Sequence, residues 1–442
     1  GRLDLVVTGV GRTTLWKNLG DGTFREEGAA RGIVAPGYAV GLAAGDVNGD
    51  GRVALYVVGY LDTDYGRELS FPQLQVRMPE DYAGQLATLL VQDADGRFHE
   101  RAKSAGVTNA DGRGLGAVFF DYDGDGRDDL FVANDRMPNV LYRNRGDGTF
   151  EDVTVEAGAG ARDQKIARAG MGIAVGDVDG DGRPEILVTN FAGEPDTLYR
   201  NVEGALFDDA TEASGVDRAS LPYVQWGTDF ADLDDDGRMD LVAASGHLVP
   251  RVLLTFAKFF RTSGLGVYGL GDHSYKQPPL VWRNEGDGRL ADVTPGSGDW
   301  AALRLSARGL AAGDVDGDGR VDVALAAISG GIRLMKNVTA PSGHALEILP
   351  VAGSGRRTVL GTKVIVTAGG ARQVQEFILR PSYASGAWVP LHFGLGDATA
   401  ARIEVIAPGE TVPALTLEDV AADRLYTLRD GKLEVKRGFL RR

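Results

Sequence analysis

A chain of 442 residues with 47 Lys and Arg against 62 Asp and Glu carries a formal charge of −15, a balance that argues against nucleic acid as its main partner. It contains no cysteine, which excludes disulfides, thiolate nucleophiles, zinc fingers and iron–sulfur clusters, and no window nears the ~18 uninterrupted apolar residues of a transmembrane segment. Glycine is the outlier at 63 residues, about twice the usual 7% share, so the chain is turn-rich and repeats must be sought first.

In chain order, Gly1-Arg2-Leu3-Asp4-Leu5 reads as the tail of a loop that then recurs complete: Asp46-Val-Asn-Gly-Asp-Gly-Arg52, Asp121-Tyr-Asp-Gly-Asp-Gly-Arg127, Asp177-Val-Asp-Gly-Asp-Gly-Arg183, Asp232-Leu-Asp-Asp-Asp-Gly-Arg238 and Asp314-Val-Asp-Gly-Asp-Gly-Arg320. This N-terminal partial copy lacks its first five positions, so the natural protein is expected to extend upstream of the five complete copies. A glycine stands five residues before each complete loop (Gly41, Gly116, Gly172, Gly227, Gly309), and a short apolar run follows it. Runs this short, bounded by Gly and Asp, read as buried strands. Between the loops lies a second recurring unit, Leu15-Trp-Lys-Asn18, Leu141-Tyr-Arg-Asn144 and Val281-Trp-Arg-Asn284, each followed by Gly-Asp-Gly, with degenerate copies at Leu198 and around Leu89. Asp-Gly between apolar segments is a hairpin signal. Each repeat therefore supplies about four antiparallel strands, the pattern of a β-propeller blade. The final copy ends at Leu334-Met-Lys-Asn337 with no fourth strand after it. Beyond Pro341 the loops stop and alternating segments take over, such as Lys363-Val-Ile-Val-Thr367 and Arg402-Ile-Glu-Val-Ile406. The expected architecture is all-β: a propeller over 1–340 and a small β-sandwich-like domain over 341–442.

Carboxylates or amides at loop positions 1, 3 and 5 and a carboxylate at position 9 place several hard oxygens within one turn. That donor density favours calcium, which accepts oxygen ligands in flexible geometry, over magnesium, which holds its waters. The expected ligand sets are Asp46, Asn48 and Asp50; Asp121, Asp123, Asp125 and Asp129; Asp177, Asp179, Asp181 and Glu185; Asp232, Asp234, Asp236 and Asp240; and Asp314, Asp316, Asp318 and Asp322. Arg52, Arg127, Arg183, Arg238 and Arg320, at position 7, would contribute only backbone carbonyls. An EF-hand needs a bidentate Glu at position 12, where this chain has Val57, Val132, Val188, Ala243 and Leu325. The loop must instead close through position 9. The first copy has Ala54 there, so of about five calcium sites the first is expected to be weakest.

The loop DxDGDGxxD between strands resembles the FG-GAP/VCBS repeats of integrin-α-like propellers. The runs from Leu141 to Thr154, from Val188 to Asn201 and from Gly227 to Gly237 are similar to the bacterial relatives of cartilage acidic protein. Gly361-Thr-Lys-Val-Ile-Val-Thr-Ala-Gly-Gly370 and Leu391-His-Phe-Gly-Leu-Gly396 resemble the ASPIC/UnbV domain that ends that family. The resemblance implies a seven-bladed propeller, of which six repeats are visible here, with structural calcium and export from the cytoplasm. This chain has Arg380-Pro-Ser-Tyr-Ala-Ser-Gly386 where a Gly-Ser-rich tyrosine segment is expected.

Gly264-Leu-Gly-Val-Tyr-Gly269 fits GxGxxG but lacks the flanking strand and helix of a dinucleotide site. The five histidines are not at ligand spacing. The paired carboxylates are claimed by the loops, where a cation would keep them ionised and unsuitable as general acids. The connections at 247–280, with an apolar run over 252–260, and at 61–85, with Tyr65, Phe71, Met78 and Tyr82, are the expected recognition surface. The reading is an exported, periplasmic, cell-surface or secreted, calcium-stabilised module that binds a protein or glycan without catalysis. The alternatives are an accessory subunit of a larger extracytoplasmic complex, and an enzyme of secondary metabolism with a pocket near His247 and His273.

Overall fold

The computed structural model describes residues 2–35, 37–63, 79–160, 167–248, 274–328, 330–340, 343–353 and 358–440. The second blade shows the repeating plan. Ala39–Gly45 is innermost, followed outward by Ala54–Gly59, Thr88–Gln92 and Phe98–Glu100, all antiparallel. The third blade (Gly114–Phe120, Asp129–Asn134, Val140–Asn144, Phe150–Asp152), the fourth (Ile173–Gly176, Glu185–Val188, Thr197–Val202, Leu206–Asp209) and the fifth (Gln225–Ala231, Asp240–Ser245, Leu280–Asn284, Leu290–Asp292) repeat it. Each acidic loop joins the innermost strand to the second, so all the loops lie at one end of the propeller. The first sheet (Leu5–Val7, Thr14–Asn18, Phe24–Glu26) begins at the second position. The sixth (Ala307–Gly313, Asp322–Ala327, Gly331–Met335) ends at the third. The described residues thus form six blade sheets, one for each visible repeat.

The glycine before each loop has a steric reason. A Cβ at Gly116 would lie 2.7 Å from the Met171 carbonyl oxygen of the next blade, and one at Gly172 would lie 2.0 Å from that of Trp226. At these glycines neighbouring inner strands approach backbone to backbone, leaving no room between them for a side chain. Away from the centre, aromatic residues fill the wedges between blades. Tyr56, Phe119 and Phe150 lie between the second and third, and Phe230 and Trp282 between the fourth and fifth. Each such side chain stabilises by about 1.5–3 kcal/mol when fully buried. A short helical turn follows the outer strand of all five sheets that have one, at Ala29–Arg31, Ala102–Ala105, Thr154–Ala157, Thr211–Ser214 and Thr294–Gly296, the middle three being four-residue α-helical turns. Gly106, Gly158 and Gly215 close the middle three in the left-handed conformation. The sequence reading did not anticipate these turns, because so few residues carry no helical period.

The C-terminal residues form two four-stranded sheets. One runs Leu391–Gly396, His344–Pro350, Arg424–Arg429, Lys432–Gly438; the other runs Ala371–Phe377, Thr362–Ala368, Ala400–Ile406, Leu415–Ala421. Leu346, Ile348, Val364, Val366, Phe377, Phe393 and Ile403 fill the space between them, making a sandwich. A hairpin, Arg380–Ser382 paired with Ser385–Ala387, leaves the sandwich and packs against the innermost strands of the second to sixth blades. It is the segment Arg380-Pro-Ser-Tyr-Ala-Ser-Gly386, lodged in the propeller channel from the loop end. Ser382 Oγ accepts the Thr228 N–H at 3.1 Å, and Ser385 Oγ donates to the Leu310 carbonyl at 3.1 Å. The Tyr383 ring lies 4.6 Å from that of Trp226.

Candidate metal centres in the acidic loops

Local backbone bonds fold each loop around its first carboxylate. In the second copy Asp121 accepts the Gly124 and Gly126 N–H groups, both at 2.8 Å. In the third Asp177 accepts those of Gly180 and Gly182 at 2.9 and 3.0 Å. The ninth residue, at the start of the second strand, turns back to the loop. Glu185 accepts the Val178 N–H at 2.7 Å and Asp240 that of Leu233 at 3.0 Å. This geometry brings three carboxylates together in each of four loops: Asp121, Asp123 and Asp129; Asp177, Asp179 and Glu185; Asp232, Asp234 and Asp240; Asp314, Asp316 and Asp322. In each set, one oxygen per residue lies within 4.8 Å of the others.

These groups are expensive to ionise where they stand. Burial first, with a smaller part from neighbouring carboxylates, pushes Glu185 up to about 9, Asp240 up to about 8, Asp232 up to about 7 and Asp177 up to about 6. Asp129 rises well above the ordinary carboxylate range for the same reasons, and Asp123, Asp179, Asp314 and Asp322 also rise. Three clustered carboxylates, at least one of them buried in each loop, are a donor set that a hard divalent cation relieves. Positions 1, 3 and 9 of the second to fifth loops would hold such an ion.

Position 5 stands outside these groups. Asp50, Asp125, Asp181, Asp236 and Asp318 each pair with the arginine two residues on, Arg52, Arg127, Arg183, Arg238 and Arg320. Four of these guanidinium groups also donate through Nε to a carbonyl at the end of the third strand: Arg52 to Gln92 (3.1 Å), Arg127 to Asn144 (2.9 Å), Arg183 to Asn201 (3.1 Å) and Arg238 to Asn284 (3.0 Å). The sequence reading gave these arginines a backbone role alone, whereas their side chains tie the loop to the neighbouring hairpin. The first loop keeps the turn, with Asp46 accepting the Gly51 N–H at 2.7 Å, but Ala54 leaves it without a carboxylate group of this kind among the described residues.

The asparagine of the recurring Tyr/Trp-Arg-Asn run has a role that sequence reasoning missed. Its N–H donates to the ninth-position carboxylate, as Asn144 does to Asp129 and Asn284 to Asp240, both at 2.7 Å. Its side-chain amide donates to the second-position carbonyl of the preceding blade's loop: Asn144 to Val47 (3.0 Å), Asn201 to Tyr122 (2.9 Å), Asn284 to Val178 (2.8 Å) and Asn337 to Leu233 (2.7 Å). One residue type thus stitches four of the five complete loops to the next blade. Its recurrence after a basic residue, preceded by an aromatic one at Asn144, Asn201 and Asn284 and by Met335 at Asn337, was the available signal.

Of the other sites singled out from sequence, His247 is 2% exposed and sits edge-on to Phe191 with ring centroids 5.6 Å apart. Tyr82 follows a short turn at Pro79–Asp81. His273, the run over 252–260, Tyr65, Phe71 and Met78 lie outside the described residues. No helix among the described residues is long and apolar enough to cross a membrane.

Comparison with known proteins agrees with this architecture. The model for the FG-GAP-like repeat matches residues 1–57, 121–188, 177–243 and 267–325, and that for ASPIC and UnbV matches residues 353–435. Human cartilage acidic protein 1 is 24% identical over 392 residues, covering 87% of this chain and 52% of that protein. The Xenopus tropicalis protein of the same name is 23% identical over 405 residues, 90% of this chain and 55% of that protein. The chain therefore spans about half the length of these curated relatives. Among solved structures, an Agrocybe aegerita lectin recognising non-reducing terminal N-acetylglucosamine aligns with a TM-score of 0.40 at 18% identity, covering 76% of this chain and 77% of the lectin. YCF48 bound to a D1 peptide aligns with a TM-score of 0.36 at 10% identity, covering 77% and 78%.

Proposed function

We propose a binding role without catalysis for this chain, which belongs to the family of FG-GAP-like repeat proteins that end in an ASPIC and UnbV domain. The reading is a calcium-stabilised propeller over 1–340 with a docked domain over 341–442, working outside the cytoplasm and holding a protein or glycan. The observation that carries it is the unequal use of the two ends of the propeller. One end is committed to the acidic loops and to the sandwich seated on them. At the other end lie the strand termini joined by the longest connections in the sequence, Gly59 with Thr88 and Ser245 with Leu280. Inter-blade connections are a natural place for recognition, because they vary without disturbing the blades. Calcium bound by the loops would neutralise buried negative charge and anchor, at the loop end, the second strands whose opposite ends lead into those connections. Ion sites of moderate affinity fill at extracellular millimolar calcium and stay largely empty in cytosol, which favours an extracytoplasmic location.

His247, packed edge-on against Phe191, does not favour an enzymatic pocket there. The test is to load the full chain with calcium and screen it against arrayed glycans and against extracytoplasmic proteins of its host. A ligand retained and released chemically unchanged supports the reading. Recovery of a cleaved or modified ligand would replace it with an enzyme.

A further inference from the structure

The fifth blade's loop breaks the repeat at one residue, and the break points at the C-terminal sandwich. Position 4 is Gly49, Gly124, Gly180 and Gly317 in the other complete loops, each in the left-handed region with φ between 67° and 82°. Here it is Asp235, held at φ 61°. A non-glycine residue is uncommon in that region and is held there only when its surroundings require it. The carboxylate is 1% exposed and faces His392 of the sandwich, with Oδ1 3.0 Å from Nε2. His392 is 5% exposed, and its other ring nitrogen lies 3.8 Å from Glu347 Oε1. The Asp235 carbonyl accepts the Gly396 N–H at 3.3 Å. A Cβ at Gly394 would lie 2.0 Å from Asp232 Oδ2, so the sandwich strand can approach this loop only as glycine.

The same end of the propeller is gripped at other loops. Lys363 Nζ reaches Asp121 Oδ2 at 2.6 Å, and Arg437 reaches Asp314 Oδ2 at 3.0 Å. The Leu440 N–H donates to the Gly317 carbonyl at 2.8 Å. The backbone of Gly409 and Glu410 covers Gly126, and the Phe439 ring covers Gly319. These contacts fall on positions 1, 4 and 6, the part of the loop that its own carboxylates would push apart without a cation.

We propose that seating of the C-terminal sandwich and filling of the acidic loops are one linked equilibrium, with Asp235 and His392 as its latch. The proposal rests on the calcium reading above. A loop closed on its ion presents the docking surface; a loop opened by charge repulsion withdraws it. Because the hairpin from Arg380 to Ala387 is anchored to the sandwich, undocking also draws Tyr383 away from Trp226 inside the channel. Linkage is reciprocal, so weakening the dock must weaken calcium binding by the same factor.

The absence of cysteine makes the test clean. Lys103→Cys and Thr416→Cys, on exposed residues of the second blade and the sandwich, carry a pair of spin labels on the full chain. One narrow distance is expected in calcium, and a broader, longer distribution in chelator. His392→Gln should raise the calcium midpoint by about 5-fold or more, within the usual range of coupling between sites. Should that variant fail to fold, Tyr383→Ser serves in its place. It changes the hairpin inside the channel and touches no loop carboxylate, so a raised midpoint can arise only through docking. If calcium binds but the label distance is the same in chelator, the linkage is wrong while the calcium reading stands. If no calcium binds, both fall.

Discussion

The loop at 46–54 and the loop at 177–185 fold alike and differ in chemistry. Both wrap their first carboxylate with the N–H of position 6, at 2.7 Å for Gly51 to Asp46 and 3.0 Å for Gly182 to Asp177. Both pair position 5 with position 7, Asp50 with Arg52 and Asp181 with Arg183. The ninth residue separates them. Ala54 leaves a turn that is complete without an ion, whereas the buried Glu185 completes a set of three carboxylates with the half-buried Asp177 and Asp179. The shape of the turn is therefore a property of the Asp-x-Asx-Gly-Asp-Gly backbone, and the demand for a cation is a property of the ninth position.

The largest effect expected from this difference follows calcium removal. One site at a free concentration of 100 times its Kd stabilises by about 2.7 kcal/mol, so four sites unfolding together contribute on the order of 10 kcal/mol. Melting in calcium and in chelator should differ accordingly, and superimposable melts would refute the ion-loop account.

In chelator, pH should act in the direction set by the raised carboxylates. Glu185, moved from an ordinary 4.5 to about 9, and Asp240, moved from 3.8 to about 8, bind protons more tightly when folded. Their contribution is present in full below the unfolded values and is lost as pH climbs to the folded ones. The apo protein should therefore lose stability from about pH 3.8, the lower of the two unfolded values, up to about pH 9, and calcium should shift the melting temperature far more at pH 8 than at pH 5. A calcium shift that is flat with pH would mean that these carboxylates are not where the ion binds.

Glu185→Gln sharpens the comparison by reversing sign. It should cost about 3 kcal/mol in saturating calcium, one site's share, yet stabilise the apo protein by removing a buried charge. Destabilisation of equal size in both buffers would make Glu185 a purely structural residue. Asn201→Ala should cost about 1–3 kcal/mol, the penalty for leaving the buried Tyr122 carbonyl without its donor, and it should do so with or without calcium. At the small end, Asp50→Ala in the first loop should change the calcium-induced shift by less than about 0.5 kcal/mol, the scale of an ordinary surface substitution. Paired denaturation curves read all three.

The parts of this picture that were legible in the sequence are those encoded within one repeat. The Asp-Gly loops, the Gly-Asp-Gly hairpins and the short apolar strands are local signals, and so is the missing outer strand after Asn337. The sandwich was readable from its alternation. What escaped were contacts between elements far apart in the chain. The Asn144 amide reaches Val47, and the Asp235 carboxylate meets His392; no spacing rule connects such pairs. The hairpin at Arg380–Ala387 read only as a departure from the expected family segment, because its burial depends on inner strands drawn from five blades. Asp235 itself was visible as the one non-glycine at position 4, a departure whose reason required the sandwich to be in place.

The most direct test of the central claim is anomalous scattering from crystals grown in calcium, which identifies and counts the ions loop by loop. The account predicts calcium held by Asp121, Asp123 and Asp129 and by the equivalent residues of the loops at 177–185, 232–240 and 314–322, with weak or no signal at 46–54. Absence of calcium from those four loops, or equal occupancy at 46–54, would contradict it.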